Sequence, residues 1–409
     1  MQKTFLLIVL LIGALGRVSQ AQSYSLVIKN GHVIDPKNNI DAVMDVAVQD
    51  GKIARVAEHI NADDATQVVD AQGMYVTPGL VDIHTHVFTS MRGDPSPDGY
   101  TLQNGITTCA DAGTSGWRSF PTFKEEVIDK SQTRVLAFLN IIGGGMRGSY
   151  FEQDPGDMDP TMTALVAKRY RNIIVGVKTA HYEGGWTAVD SAVAAGKLAG
   201  IPVMVDFGGA NPPLSIRSLF FDHLRPGDIF THCFAQLRSR EFILDTATGK
   251  IKPFVWEAQK RGTIFDVGYG GISFAFSQAI PAMKDGFRPN SISTDYHKGD
   301  MNAAMKNILN VMDKFMIMGM DLPEVIRRTT WNPAQEINHK ELGHLTVGAG
   351  ADIAIFKLIP GNFGFFDYTG YRIEGKEKLE CEMTVRAGKI VYDLNGIAKP
   401  VILPNQRGE

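Results

Sequence analysis

Pro78-Gly79-Leu80-Val81-Asp82-Ile83-His84-Thr85-His86 is the stretch on which the fold of this chain turns. A short apolar run follows a Pro-Gly break and ends in two histidines one residue apart. Alternate side chains of a strand share a face, so His84 and His86 point to the same side and can hold one metal ion. The spacing alone is weak evidence, since ten histidines in 409 residues give about 0.24 such pairs by chance. Its place at the end of an apolar run gives it weight.

The same layout recurs downstream. Eight short runs rich in Val, Ile and Phe begin near Leu80, Gly105, Arg134, Asn172, Ile201, Asp228, Thr263 and Ser291. They read as strands buried on both faces. Helical stretches separate several of them, such as Asp190 to Ala199 and Pro253 to Lys260. Eight strand–helix units closing into an α/β TIM barrel are the simplest architecture, with the chemistry at the C-terminal ends of the strands.

Those ends carry polar residues that a buried strand does not otherwise need. The fourth run, Ile173 to Val177, ends in Lys178; the fifth ends in Asp206, the sixth in His232 and the eighth in Asp295. Burial costs a lysine its charge, and a neutral amine can take up CO₂ to become an anionic carbamate able to bridge two cations. The alternative for Lys178 is an ammonium reaching water at the strand end. A single carboxylate or imidazole among these is equally readable as a loop residue or helix cap. His, His, Lys, Asp, His and Asp at successive strand ends are better explained by a metal centre.

The flanks have a different pattern. Ser25 to Lys29, Asp45 to Val48 and Lys52 to Val56 read as strands, separated by turns at Lys29-Asn30-Gly31 and Gln49-Asp50-Gly51. Strand-like sequence returns at Ala351 to Phe356 and at Cys381 to Tyr392. Both ends therefore contribute to one small β-sandwich domain, assigned to residues 22–76 and 340–409, around a hydrolase barrel at 77–339. Residues 1–21 have the layout of a signal peptide: Lys3, an apolar run from Phe5 to Leu15, then Ser19 and Ala21 before the cut. A periplasmic or secreted protein is expected, with no membrane association after cleavage.

Composition narrows the partners. A formal charge of −3 gives no field for nucleic acid or an anionic membrane. Cys109, Cys233 and Cys381 are too few for a disulfide framework and read as mostly buried thiols, with a single bridge left open. A small-molecule substrate fits, and a homo-oligomer is compatible with everything above. His223, in the helical stretch Leu219 to Leu224, reads as structural.

Taken in order, Asp35 to Asp50, Pro78 to His86, Gly176 to Lys178, Gly227 to His232, Ser293 to Asp295, Asn332-Pro333-Ala334 and Gly348 to Asp352 resemble the amidohydrolase superfamily. The resemblance is to its dihydroorotase-like branch, and most to the amidohydrolase/deacetylase metallohydrolases, over nearly the whole mature chain. It implies two divalent ions, zinc first and manganese or another oxygen-preferring metal second. His84 and His86 would hold one ion, carboxylated Lys178 would bridge, and His232 would hold the other. Asp295 would ligate metal and shuttle the proton of a metal-activated hydroxide that cleaves an amide or ester of a small acylated molecule. Cyclic amidase or dipeptidase chemistry is the enzymatic alternative, and a secreted non-catalytic binding protein the alternative of another class.

The sequence departs from the family at two points. Asp206 stands where the family usually has histidine, and Tyr269 where relatives often do. Asp206 can still ligate metal. With it, carbamate, two aspartates and hydroxide would match the charge of two divalent ions, leaving a near-neutral site that favours oxygen-loving metals or a weak second position. Arg147, in the glycine-rich loop after the third strand, is placed to clamp a substrate carboxylate; the alternative is a surface arginine. Tyr269 and His297 are the other substrate-facing candidates, with His181 a weaker one.

Overall fold

The computed structural model describes residues 23–206, 210, 213–237, 239–300 and 302–398, so the leader reading at 1–21 lies outside the described residues. Seven parallel strands form the central sheet: Leu80–Thr85, Ile106–Gly116, Arg134–Asn140, Ile174–Thr179, Val203–Val205, Ile229–Phe230 and Ile264–Phe265, in that spatial order. The eighth segment is too irregular to count as a strand. It closes the barrel all the same, through bridges Asp266↔Ser291 at one edge and Thr85↔Tyr296 at the other. Backbone bonds from Val267, Tyr269 and Gly270 to Ser291, Ser293 and Thr294, and from His86 to Tyr296, complete the seam.

These strands form on runs made mostly of apolar or small side chains. All eleven residues of Ile106–Gly116 are buried, as parallel strands covered on both faces must be. Helices such as Pro160–Arg169, Thr187–Ala199 and Pro253–Arg261 run between them. Two of these start with proline in the first turn, which loses no helical hydrogen bond there, and Thr187–Ala199 stops at Gly200 in the left-handed conformation.

Both chain ends build a separate eight-stranded, mainly antiparallel sheet. Tyr24–Asp35 lies at its heart, next to Ile40–Gln49 and Tyr75–Pro78, and the latter pairs with Ile353–Phe366. Leu26, Ile28, Val46 and Val48 enter one apolar cluster while Val27 and Ala47 enter another, the alternation expected of a sheet packed on both sides. One turn is corrected: Lys29-Asn30-Gly31 does not end a strand. Tyr24–Asp35 runs through it with a bulge between Ile28 and Gly31, where a Cβ on Gly31 would meet Val76 Cγ2 at 2.3 Å. The hairpin turn comes instead between Asp35 and Ile40. The turn at Asp50-Gly51 stands where expected. Cys109, Cys233 and Cys381 are all buried free thiols. No helix among the described residues is long and apolar enough to cross a membrane.

Helix Ile308–Ile317 joins barrel and sheet through two buried charges. Asp313 accepts the backbone N–H of Leu379, at 2.8 Å, from the long hairpin strand Arg372–Arg386. Next to it, Lys314 Nζ donates to the Ala304 carbonyl at 2.6 Å and to the Tyr269 hydroxyl at 2.8 Å. Burial pushes this amine down to about 7, against the opposing pull of Asp367 and Asp313 and with the help of Lys306. Below about 7 both folded and unfolded chains hold the proton. Between there and about 10.5 only the unfolded chain does, so this group makes stability rise with pH across that window. Lys314→Met should remove the rise. The gap in melting temperature between variant and wild type should then change by several degrees between about pH 7 and about pH 9.5. A gap that stays constant would contradict a buried amine of depressed basicity.

Candidate metal centre

All six polar strand ends meet at one mouth of the barrel. His84 Nε2 lies 3.0 Å from Lys178 Nζ and 3.3 Å from Asp295 Oδ1, and His86 Nε2 is 3.1 Å from the same Asp295 oxygen. His232 Nε2 is 3.4 Å from Asp206 Oδ2 and 4.0 Å from Asp295 Oδ2. One ligand atom each from His84, His232 and Asp295 falls within 4.8 Å of the others. Two ligands sharing a tetrahedral ion at about 2.0–2.1 Å stand about 3.3 Å apart. The edges of 3.0 to 3.4 Å match that spacing, so these residues fit the metals that the fold implies.

The imidazoles are also oriented for ligation. His84 Nδ1 is held at 2.9 Å by Thr231 Oγ1, which spends its own proton on Asp266 Oδ2 at 2.7 Å. Nδ1 must therefore be the donor, leaving the Nε2 lone pair free to face the site. His232 Nδ1 donates to the Gly268 carbonyl, which fixes the same tautomer, and His86 Nδ1 is held at 2.8 Å by Thr114 Oγ1. Burial, with Lys178 adding to it, lowers His84 to about 3, so its ring is neutral.

Lys178 is 1% exposed, and burial lowers its amine from the ordinary lysine range against the pull of Asp206, Asp295, Asp266 and Glu152. Its stem occupies space left by Gly113, where a Cβ would meet Lys178 Cβ at 2.6 Å. Asp295 is buried too, which alone would raise its carboxyl, but His84, His86 and His232 together hold it well below the usual carboxylate range. Asp206 behaves likewise under His232, Arg240 and His181.

Part of the backbone strain lies here. His181, His232 and Asp295 have φ of 57°, 55° and 54°, the left-handed region that side chains other than glycine seldom adopt. Each costs on the order of 1–3 kcal/mol and turns a strand-end side chain into the mouth. Gly268 has φ 45° and its missing side chain is what allows close approach: a Cβ would lie 2.3 Å from Thr231 Oγ1 and 2.9 Å from both His84 Nδ1 and His232 Nδ1.

The deacetylase of Enterococcus faecalis is 31% identical over 382 residues, covering 90% of this chain and 99% of its own. The chain belongs to the amidohydrolase superfamily. A second deacetylase, from Brucella anthropi, is 30% identical over 381 residues, covering 87% of this chain and 93% of its own. The amidohydrolase family profile matches residues 276–391. Among solved structures, an adenine deaminase superposes with TM-score 0.83 at 30% identity, covering 90% of this chain and all of its own. A dihydroorotase superposes with TM-score 0.79 at 27% identity, covering 90% and 99%. As an amidohydrolase with these relatives, the chain is an enzyme, a hydrolase acting on C–N bonds.

The structure sorts the remaining candidates of this amidohydrolase. His297 sits by the cluster, its ring 6.4 Å from that of His86 and its Nε2 3.4 Å from Asp300 Oδ1. Tyr269 is turned away. The glycines on either side of it take the site-facing positions, so its ring goes into the core, stacked on Phe274 at 4.4 Å, and its hydroxyl bonds Phe366 O and Lys314. Arg147 is exposed on its loop, its guanidinium 4.4 Å from the Phe151 ring. His223 is structural, stacked on Trp186 at 3.9 Å. Sequence reasoning missed Arg240, whose Nη2 binds Asp206 Oδ1 at 2.6 Å. It also missed Glu152, a fully buried carboxylate 3.2 Å from His181 Nδ1. Neither lies at a strand end, so no local pattern marks them.

Gly268→Ala should weaken metal binding by at least about tenfold, because the added methyl must displace the groups that orient His84 and His232. Chelator competition on the folded variant measures it, and unchanged affinity would show that the glycine is there for its backbone alone.

Proposed function

We propose that this amidohydrolase is a deacetylase or deacylase of small acylated molecules, with two divalent ions held by His84, His86, Lys178, Asp206, His232 and Asp295. The observation that carries the reading is the convergence of these side chains at ligand spacing in one barrel mouth. Support for the substrate class comes from deacetylases that match along nearly their full length. Zinc suits the imidazoles; the carboxylates also accommodate manganese. Bound ions supply Lewis acidity that polarises a carbonyl and acidifies water.

The chain's own groups do the rest. Lys178, as a neutral amine, adds to CO₂ and loses a proton to form a carbamate, which gives the site two further anionic oxygens. Asp295, held ionised by three imidazoles, takes the proton of the attacking water and delivers it to the leaving group. His297 stands beside His86 to contact substrate. A second reading, hydrolysis of a cyclic amide or a dipeptide, is favoured by the dihydroorotase superposition along 90% of the chain. The signal-peptide layout of residues 1–21 supports action in the periplasm or outside the cell, which cell fractionation would test.

Lys178→Ala should lose metal and activity and recover part of both with a short carboxylic acid that fills the gap; full occupancy and wild-type rate in the variant would rule the carbamate out. Asp295→Asn should abolish most amide turnover while activated esters, whose leaving groups need no proton, suffer less. Kinetics on a matched panel of acylated amides and esters checks this. Equal losses on both would remove Asp295 as the acid.

A further inference from the structure

Asp206 brings a full negative charge to the His232 side of the centre, and the structure shows what answers it. Arg240 is 5% exposed, and its guanidinium reaches two places at once. Nη2 donates to Asp206 Oδ1 at 2.6 Å, and Nη1 donates to the backbone carbonyl of His232 at 3.1 Å. The two oxygens of Asp206 are thereby given different tasks. Oδ1 is in hydrogen-bond contact with a cation. Oδ2 stands 3.4 Å from His232 Nε2, long for a hydrogen bond but right for two ligands of one ion.

We propose that Asp206 and Arg240 act as one ligand unit without net charge, with Arg240 the charge-compensating residue for the ion on the His232 side. This rests on the reading of the mouth as a metal centre. The unit offers the ion a single oxygen, as a neutral imidazole would offer a single nitrogen. The pairing reverses the expectation of a near-neutral site, because Arg240 restores one positive charge. The neighbouring His181 does not disturb the count: buried Glu152 lies against its Nδ1 and forms a second matched pair, and His181 Nε2 faces Asp206 Oδ2 from 3.5 Å. The contact to the His232 carbonyl has a further consequence. Arg240 ties the strand end that carries His232 to the one that carries Asp206.

The test is metal content by mass spectrometry and the affinity for each ion by chelator competition, on purified holoenzyme and folded variants. Wild type should hold two ions. Arg240→Lys keeps the charge and should leave both affinities within about threefold, whereas Arg240→Gln keeps a hydrogen bond but drops the charge, so the second ion should bind at least about tenfold more tightly. Asp206→His alone leaves a buried guanidinium unpaired beside an imidazole and an ion. It should weaken the second ion at least about tenfold, and Asp206→His/Arg240→Met should recover it to within about threefold. Wild-type affinity in Asp206→His, or a double variant no better than the single, would overturn the proposal. If the double variant does not fold, equal second-ion affinities in Arg240→Lys and Arg240→Gln overturn it instead. A wild type that holds one ion also overturns it while leaving the metal centre standing. A wild type that binds none defeats both.

Discussion

Asp266 carries the charge on which the barrel mouth depends. It is fully buried and has no solvent to rely on, so its oxygens must be met by protein donors. Ser291 Oγ and Ser293 Oγ supply them from the closing segment, at 2.7 to 2.8 Å, and Thr231 Oγ1 supplies a third from the neighbouring strand at 2.7 Å. These bonds draw the irregular eighth segment onto the seventh strand. Because Thr231 is committed to Asp266, its remaining acceptor capacity dictates which nitrogen of His84 carries the proton. Closure of the fold and orientation of a ligand are thus one hydrogen-bonded network. Such networks are costly if left half made and cooperative when complete.

The mouth shows a second regularity, in which buried charges come in matched sets. Asp206 is met by Arg240, Glu152 by His181, and Asp295 by three imidazoles. Asp82, deeper in the barrel, is raised to about 7 by burial even though Thr294 and the His84 backbone bond it, so it stands near the boundary between charged and neutral. A site organised this way can concentrate negative ligands around cations in a low-dielectric interior without unfolding the strands that carry them. The left-handed backbone at His181, His232 and Asp295 belongs to the same arrangement. Parallel strands point side chains into or away from the barrel, and a reversed φ at the last residue re-aims that side chain over the mouth.

Much of this was readable in the chain. Seven of the eight strand positions follow from short apolar runs of a kind that only a sheet covered on both faces requires, while the eighth segment closes the barrel without forming a regular strand. The residues His84, His86, Lys178, Asp206, His232 and Asp295 stood out as polar termini of those runs. Tyr269 and Arg147 are the two candidates that the structure does not bring into the cluster, each for a physical reason. Tyr269 lies between two glycines whose conformations hand the site-facing positions to the backbone, so its ring turns to the core. Arg147 sits in a loop with nothing in the sequence to bind it down. The Lys29-Asn30-Gly31 signal is a bulge within a strand, because the same residues that make turns also accommodate an extra residue in a ladder.

The class of fold, the strand ends that carry chemistry and the donor types at each are legible along the chain. Those are local properties: periodicity, burial demand and the identity of a terminal side chain. Which atoms of those donors face one another, which nitrogen of an imidazole carries the proton and what answers the charge of Asp206 emerge only once the barrel has closed. Arg240, thirty-four positions along the chain from its carboxylate, lies in a loop whose course no periodicity describes. The partners of a buried charge are chosen by where the barrel brings the chain back, and long-range closure leaves no mark on the residues it joins.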